Sequence, residues 1–537
     1  FIEPQRETEK LVAEVWKKVL KIEQISVTDN FFELGGDSIT AVHVKSLLGK
    51  YKLNLKDIFQ YPTISEISKR LVLNSRNISQ EPVIGKIPLT PIQQDFFAQR
   101  YKDSNYWNQA NILFSPENFD KNIVLNAFKT LIAHHDALRI IFKDINGEKI
   151  QIIKDINEIQ LRVYSYEIGN KDIKKVIEKH AESLQQTINL ETGPLFNLSI
   201  FKTDSGEYLL IIIHHLIIDA VSWRILLEDF KEAYNSLIVN KEIHLPPKTN
   251  SYLEWSKYLR RYVNEHVIKN QYKYWREIAK NNIPKLPKDF NGENNQKDMH
   301  VVSITFSAKE TGLINQFVSQ YYNTNMQDIL LSALIFAIKE WSGNNQILLS
   351  LEGHGRNVSS NEIDISRTVG WFTTIYPIFF KLQTVNEPYT QMIQTKEVLD
   401  KVPEFGMGYQ VLRYLSGNNQ IRQSLEINPE ISFNYYGRID DINENKGNIS
   451  LSSITLKNTR SGNSKRRYIF DFISKIERGN LLISIGYSSK QYKPDTIHTI
   501  LNIFKRNIIN LVSPHYIDDV RSKSIIKIKN QADISCK

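Results

Sequence analysis

IIIHHLIIDAVSW, residues 211–223, decides how the larger part of this chain is read. Leu209 to Ile213 is an unbroken apolar run, the pattern of a buried strand, and the pair His214-His215 closes it. Neighbouring side chains of a strand face opposite sides, so at most one histidine of the pair enters a given cavity. Asp219 follows His215 by four residues, and a helix start at Ser222-Trp223 comes next. A carboxylate near an imidazole fixes its tautomer or raises its pKa, as a general acid or base requires. A second pair, His134-His135 in LIAHHDALRIIF, lacks that context and reads as support for the fold.

Outward from that stretch, strands alternate with amphipathic helices from Pro88 onward. Ile347 to Leu351 is a second apolar strand, and helical patterns lie at 122–133, 171–188, 223–236, 252–279, 326–340 and 495–511. This mixture indicates α/β layering, and more than 400 residues suffice for two lobes. The N-terminal part reads differently. Residues 7–21 place Leu11, Val12, Val15, Trp16, Val19 and Leu20 on one helical stripe, and a loop ending in Gly35-Gly36 leads to a second helix at Ser38. The short apolar piece LKDIFQYP precedes a last helix, marked by Thr63 and Glu66 at capping-box spacing. Four short helices in about seventy residues make a small bundle. Residues 74–86, polar and aperiodic, read as a linker.

Composition narrows the class. Among 537 residues, 41% are hydrophobic and 24% charged, as in ordinary globular chains. The single cysteine, Cys536, forbids an intrachain disulfide and suits a cytoplasmic setting. No apolar run is long enough for a bilayer, and no secretory layout opens the chain, so no membrane role is expected. The net charge of +9 is scattered without a basic block, which gives no footprint for nucleic acid. No metal-ligand spacing is seen. The chain opens at Phe1 and reads as a piece of something longer.

In LGGDSI, glycines bring Ser38 to an exposed helix start, where a serine serves as a simple cap. DNFFELGGDS, in a small bundle and ahead of an apolar helix, resembles the peptidyl carrier domain of nonribosomal peptide synthetases over residues 5–74. The resemblance implies 4′-phosphopantetheine esterified to Ser38, with Asp37 beside it. HHxxxD followed by SW resembles the condensation-domain superfamily, in which the second histidine faces a tunnel between two chloramphenicol-acetyltransferase-like lobes. That makes His215 the active-site candidate and Asp219 an orienting or salt-bridged residue.

LEGHGR at 351–356, RTVGWFTTIYP at 367–377, PEFGMGYQ at 403–410 and FNYYGR at 433–438 together resemble an epimerization domain. The implied organisation is a four-helix carrier bundle over 1–74, a linker over 75–86, an epimerization domain over 87–515 and a tail over 516–537. The lobes divide near 262. Ala220, Asp95, Gln410 and Tyr436 stand where that family has glycine, an aromatic, glycine and leucine.

Epimerization removes a proton from one face of an α-carbon and returns one to the other. It requires two acid/base groups and a donor for the enolate oxygen. Glu352 and His215 fit the first need on this resemblance, and Asn434, Tyr435 or a helix N-terminus the second. A carboxylate basic enough for this work calls for a desolvated site. The implied partners are an aminoacyl or peptidyl thioester, an adenylation domain upstream, a condensation domain downstream and a phosphopantetheinyl transferase. Peptide-bond condensation and a silent docking domain are the alternatives.

Overall fold

The computed structural model describes residues 1–73, 77–169, 172–263, 268–322, 325–358, 362–383, 387–439 and 449–513. The expected tail over 516–537 lies outside the described residues. The N-terminal bundle has helices Glu7–Leu20, Ser38–Leu47, Leu55–Gln60 and Ile64–Ile67. The first buries Val12, Ala13, Trp16 and Val19, the stripe legible in the sequence. Trp16 meets Phe31 edge-on with ring centroids 4.8 Å apart. The Thr63 hydroxyl caps the last helix by accepting from the Glu66 amide.

The segment read as a linker is tied to the domain that follows. Gly85–Ile87 forms a strand against Glu148–Ile153, and the Gln80 side chain accepts from the Lys248 amide at 2.8 Å.

The large domain carries two principal sheets. The first orders strands Ser450–Leu451, Asn108–Ser115, Gly206–His214, Phe196–Thr203 and Val163–Glu167, with only the last pair parallel. Leu209 to Ile213 sit at its centre, each 0% exposed, and each contributes about 1.5–3 kcal/mol by burial. The second sheet orders Met299–Phe306, Asn480–Ser488, Phe470–Glu477, Ile431–Arg438, Gln346–Gly353 and Thr374–Lys381. Ile431–Arg438 runs parallel to both of its neighbours. Ser450–Leu451, late in the chain, crosses over to edge the first sheet beside Asn108–Ser115. Helix Met407–Leu415 likewise packs on helix Pro91–Ala98.

Helices occupy the expected stretches with shifted ends. The helix expected from 223 begins at Ala220 and runs to Ile238, because Asp219 is its N-cap. The single pattern over 252–279 is described as Tyr252–Tyr262 and Ile268–Ala279, with 264–267 outside the described residues. Among the described residues no helix is long and apolar enough to cross a membrane.

Candidate active site

His214 and His215 part company where strand Gly206–His214 ends. His214 is 0% exposed. Its Nε2–H donates to the Ser104 carbonyl at 2.8 Å and its Nδ1 accepts from the Leu216 amide at 3.2 Å, so the ring is spent on structure. His215, half-buried, turns the other way and lies 4.4 Å from the Trp371 ring, centroid to centroid. The sequence left Asp219 either orienting this imidazole or standing in a salt bridge, and the structure has it in the salt bridge with Arg356. His215 Nδ1–H donates instead to the Ile218 carbonyl at 2.8 Å. The Asp219 carboxylate accepts from the amides of Ser222 at 2.7 Å and Phe372 at 3.0 Å, and from Arg356 at 3.3 Å. Nor is the imidazole made more basic. Burial, with the Arg460 guanidinium adding to it, holds its pKa down to about 4.

Glu352 sits near the end of strand Gln346–Gly353. Parallel pairing sets Leu351 opposite Phe433, so Asn434 comes alongside Glu352 and donates its Nδ2–H to Oε2 at 2.7 Å. Burial raises the Glu352 pKa, against the opposing pull of Arg460 and Arg467. Arg460 thus bears on both Glu352 and His215, although they hang from different sheets. Tyr435 does not join this pair: the charges that bear on it are Asp37 and Arg438. Tyr436, 37% exposed, and the buried Tyr468 are tyrosines that feel Glu352.

What joins the two halves is the turn after Glu352. Gly355 has φ +68, and a β-carbon there would stand 1.6 Å from the Phe372 carbonyl oxygen, so only glycine passes. The turn delivers Arg356, 2% exposed, to the carbonyls of Ile365 and Thr368, to the Ser222 hydroxyl and to Asp219. The same guanidinium lies 4.0 Å from the Phe372 ring centre.

The N-terminal bundle docks where these elements surface. Asp37 caps helix Ser38–Leu47, its Oδ1 accepting from the Thr40 amide and hydroxyl at 2.8 Å each. Gly36 is required for space, since a β-carbon there would lie 2.4 Å from the Phe31 ring. Across the contact, Arg224 donates to the Ile39 carbonyl at 3.3 Å, His43 meets Glu228 at 3.2 Å and Lys45 approaches Asp364 at 3.7 Å. Phe405, in a turn where Glu404 and Phe405 have φ of 46° and 52°, faces Phe59 of the bundle at 6.0 Å.

Comparison with known proteins fits this geometry. The phosphopantetheine attachment site family matches residues 10–71, and the condensation domain family matches residues 83–534. The chain belongs to the condensation-domain family. It is 38% identical to tyrocidine synthase 2 of Brevibacillus parabrevis over 95% of its length and 14% of that protein's. It is 36% identical to gramicidin S synthase 1 of Brevibacillus brevis, over 95% of its length and 48% of the relative's. It therefore spans less than half the length of either synthase. The crystal structure of the epimerization domain from the third module of tyrocidine synthetase B matches with a TM-score of 0.77 and 36% identity. That match covers 82% of this chain and 100% of the other. The X-domain from teicoplanin biosynthesis, 14% identical with a TM-score of 0.65 over 82% of this chain and 97% of that one, shares the fold. The chain is thus a phosphopantetheine carrier joined to a condensation-type domain of nonribosomal peptide synthetases.

The residues at the carrier contact fit a phosphopantetheine phosphate. Arg224 Nε and Nη2 are buried without a hydrogen-bond partner, Nη1 donates to the carbonyl of Ile39, the residue after Ser38, and Nε has only a 3.7 Å approach to Glu228. Burial lowers the guanidinium pKa to about 10, with Glu228 opposing the shift. Elsewhere, His134, His135 and Asp229 cluster within 4.8 Å, but Arg367 already holds Asp229 at 2.5 Å, which opposes a cation there.

The sequence reading missed some site residues and left the contacts of others open. Gln109, in YWNQA, bonds to both His215 and Trp223. Arg460 stacks 4.2 Å from the Trp107 ring centre beside the two acid/base candidates. Asp95, a departure from the family pattern, is buried and pairs with Tyr414 and Arg467 of the second half. Gln410 accepts from the Ile375 amide at 3.0 Å, a bond that glycine would lack. Of these, Asp95 and Gln410 were visible in the sequence only as departures from the family pattern, while Gln109 and Arg460 left no trace.

Proposed function

We propose that this domain epimerizes the α-carbon of an L-aminoacyl or peptidyl thioester held on its own carrier, in cytoplasmic nonribosomal peptide synthesis. The observation that carries this reading is the pairing of Glu352, raised in pKa and oriented by Asn434, with a neutral His215 in one electrostatic neighbourhood. Two such groups, one from each half of the domain, supply what proton removal and return demand. Condensation would leave the Glu352–Asn434 pair without a task.

Ser38 is the attachment point on this reading, with Arg224 and the start of helix Ser38–Leu47 holding the phosphate. When bound, the phosphopantetheine arm presents the acyl group as a thioester, whose carbonyl acidifies the α-hydrogen. Tyr435, close enough to Asp37 to feel its charge, would line the way in. Glu352 and His215 would exchange the roles of base and acid with the configuration of the substrate. Asn434 orients Glu352 through Oε2, and Asp219 acts at a distance by capping the helix and binding Arg356. A phosphopantetheinyl transferase, an upstream adenylation domain and a downstream condensation domain complete the proposed setting.

The test is mass spectrometry in D2O on the chain loaded with L-aminoacyl or L-dipeptidyl pantetheine. One deuteron gained at the α-carbon, with D-product on chiral analysis and loss of both in Glu352→Gln, is the expected result. Absence of exchange across several loaded substrates would overturn the proposal.

A further inference from the structure

Gln109 lies on strand Asn108–Ser115, paired in register with Ile213. Its Oε1 accepts from Trp223 Nε1–H at 2.8 Å, and its Nε2 lies 2.9 Å from His215 Nε2. An indole nitrogen only donates, so Trp223 settles which end of the amide is oxygen. The other end is NH2, which only donates, and His215 Nε2 must therefore accept. On the far side of the ring, the Ile218 carbonyl only accepts, so Nδ1 must carry the hydrogen. Two independent partners thus agree on one tautomer. Protonating Nε2 would aim an N–H at an amide NH2, a contact with donors on both sides.

Building on the reading of His215 as an acid/base group, we infer that Gln109 is a positioning residue: pinned by Trp223, it holds His215 neutral with its lone pair on Nε2. When Nε2 takes the α-proton, the N–H bond forms, the C–H electron pair stays on the substrate, and the Gln109 contact must break. The neutral tautomer is thereby fixed while the acid form is penalised, and Gln109 gates the exchange of roles. The ionisable groups that bear on His215 are Arg460, Asp219 and its neighbour His214, and none of these reaches Nε2 by a hydrogen bond.

The experiment is 15N NMR of the full chain labelled at its 12 histidines, with His215→Gln assigning the signal. His215 in the parent chain should show a protonated Nδ1 and an unprotonated Nε2 at neutral pH. In Gln109→Glu a carboxylate replaces the donor, and the His215 titration midpoint should rise by about 1–3 pH units. The acid limb of α-hydrogen exchange should move with it. Trp223→Phe frees the amide to turn its oxygen to Nε2–H, and should raise the midpoint in the same direction; it also serves if Gln109→Glu does not fold. An Nε2–H tautomer in the parent chain, or a midpoint unmoved in the folded variants, would overturn the inference. Deuterium exchange at the α-carbon is read separately. Its absence beside the expected NMR result would sink the epimerase and leave the Gln109 assignment standing.

Discussion

Replacing Gly437 by alanine addresses how the carrier is held. Gly437 has φ +66, where a β-carbon costs about 1–2 kcal/mol. The added carbon would lie 2.0 Å from Asp37 Oδ2, so the carboxylate must retreat by more than about 1 Å to reach ordinary contact. Asp37 is poorly placed to do so, because Oδ1 is fixed by the Thr40 amide and hydroxyl. Giving up that cap costs about 0.5–2 kcal/mol. The other escape is to lift the carrier from the domain. What opposes lifting is modest: the partly exposed pairs His43–Glu228 and Lys45–Asp364, the Arg224–Ile39 bond and the Phe59–Phe405 contact. A penalty of about 1–2 kcal/mol then moves the docked-to-free ratio by about 5–30-fold. Hydrogen–deuterium exchange read by mass spectrometry over peptides spanning 31–47 and 219–230 reports both faces of the contact. Both should lose protection in Gly437→Ala, and Asp37→Ser, which keeps the cap but removes Oδ2, should restore part of it. Unchanged protection on both faces in a folded variant would refute this account of docking.

Further outcomes follow from buried charge. Asp95→Ala leaves Arg467 and Tyr414 without the carboxylate that bridges the halves; with Arg467 partly exposed, the expected loss is about 2–4 kcal/mol, read by thermal unfolding. An unchanged melting temperature would show that the bridge contributes nothing. Acid should destabilise the fold through His214, His215 and His354, whose folded pKa values near 3, 4 and 4 lie below the ordinary 6.5. The unfolded chain binds these protons first, so the stabilisation is complete above about pH 6.5 and is lost toward pH 4, at up to about 1.4 kcal/mol per unit per histidine. Asp328, raised to about 6 by burial, works in the opposite sense over the range from 3.8 to 6. Urea midpoints from pH 7 to 4.5 check the sum, and a flat profile would contradict it.

What could be read without coordinates was local. The stripe Val12–Trp16–Val19 and the run Leu209 to Ile213 declare their own burial, because periodicity records which face meets the core. The rest depended on partners distant in sequence. Asp219 looked like a companion for His215 only because four residues separate them; its carboxylate is drawn off by Arg356, 137 positions away, and by the helix it caps. The start of that helix lies three residues before the expected one because Asp219, accepting from the Ser222 amide, is its cap. Tyr435 and Tyr436 are indistinguishable as letters, and Tyr436 is the one that shares a strand face with Asn434 and feels Glu352 once the parallel pairing of the two strands is known. Gln109 acquires meaning only when Trp223, 114 positions on, dictates the direction of its amide.

Helix Ala220–Ile238 begins beside the histidine motif and grips the carrier with Arg224 and Glu228, one and two turns further along. Strand Ile431–Arg438 likewise holds Asn434 at Glu352 and Gly437 at Asp37. Each element acts as a gauge, fixing how far the carrier sits from one of the two groups proposed to handle the proton. A carrier borrowed from another synthetase has to match both gauges together. A mismatch of one helical turn, about 5.4 Å, would leave the acyl group short of one group while still reaching the other. Such a hybrid would lose a proton from its cargo and return it to the same face, a chimera that exchanges hydrogen without inverting configuration.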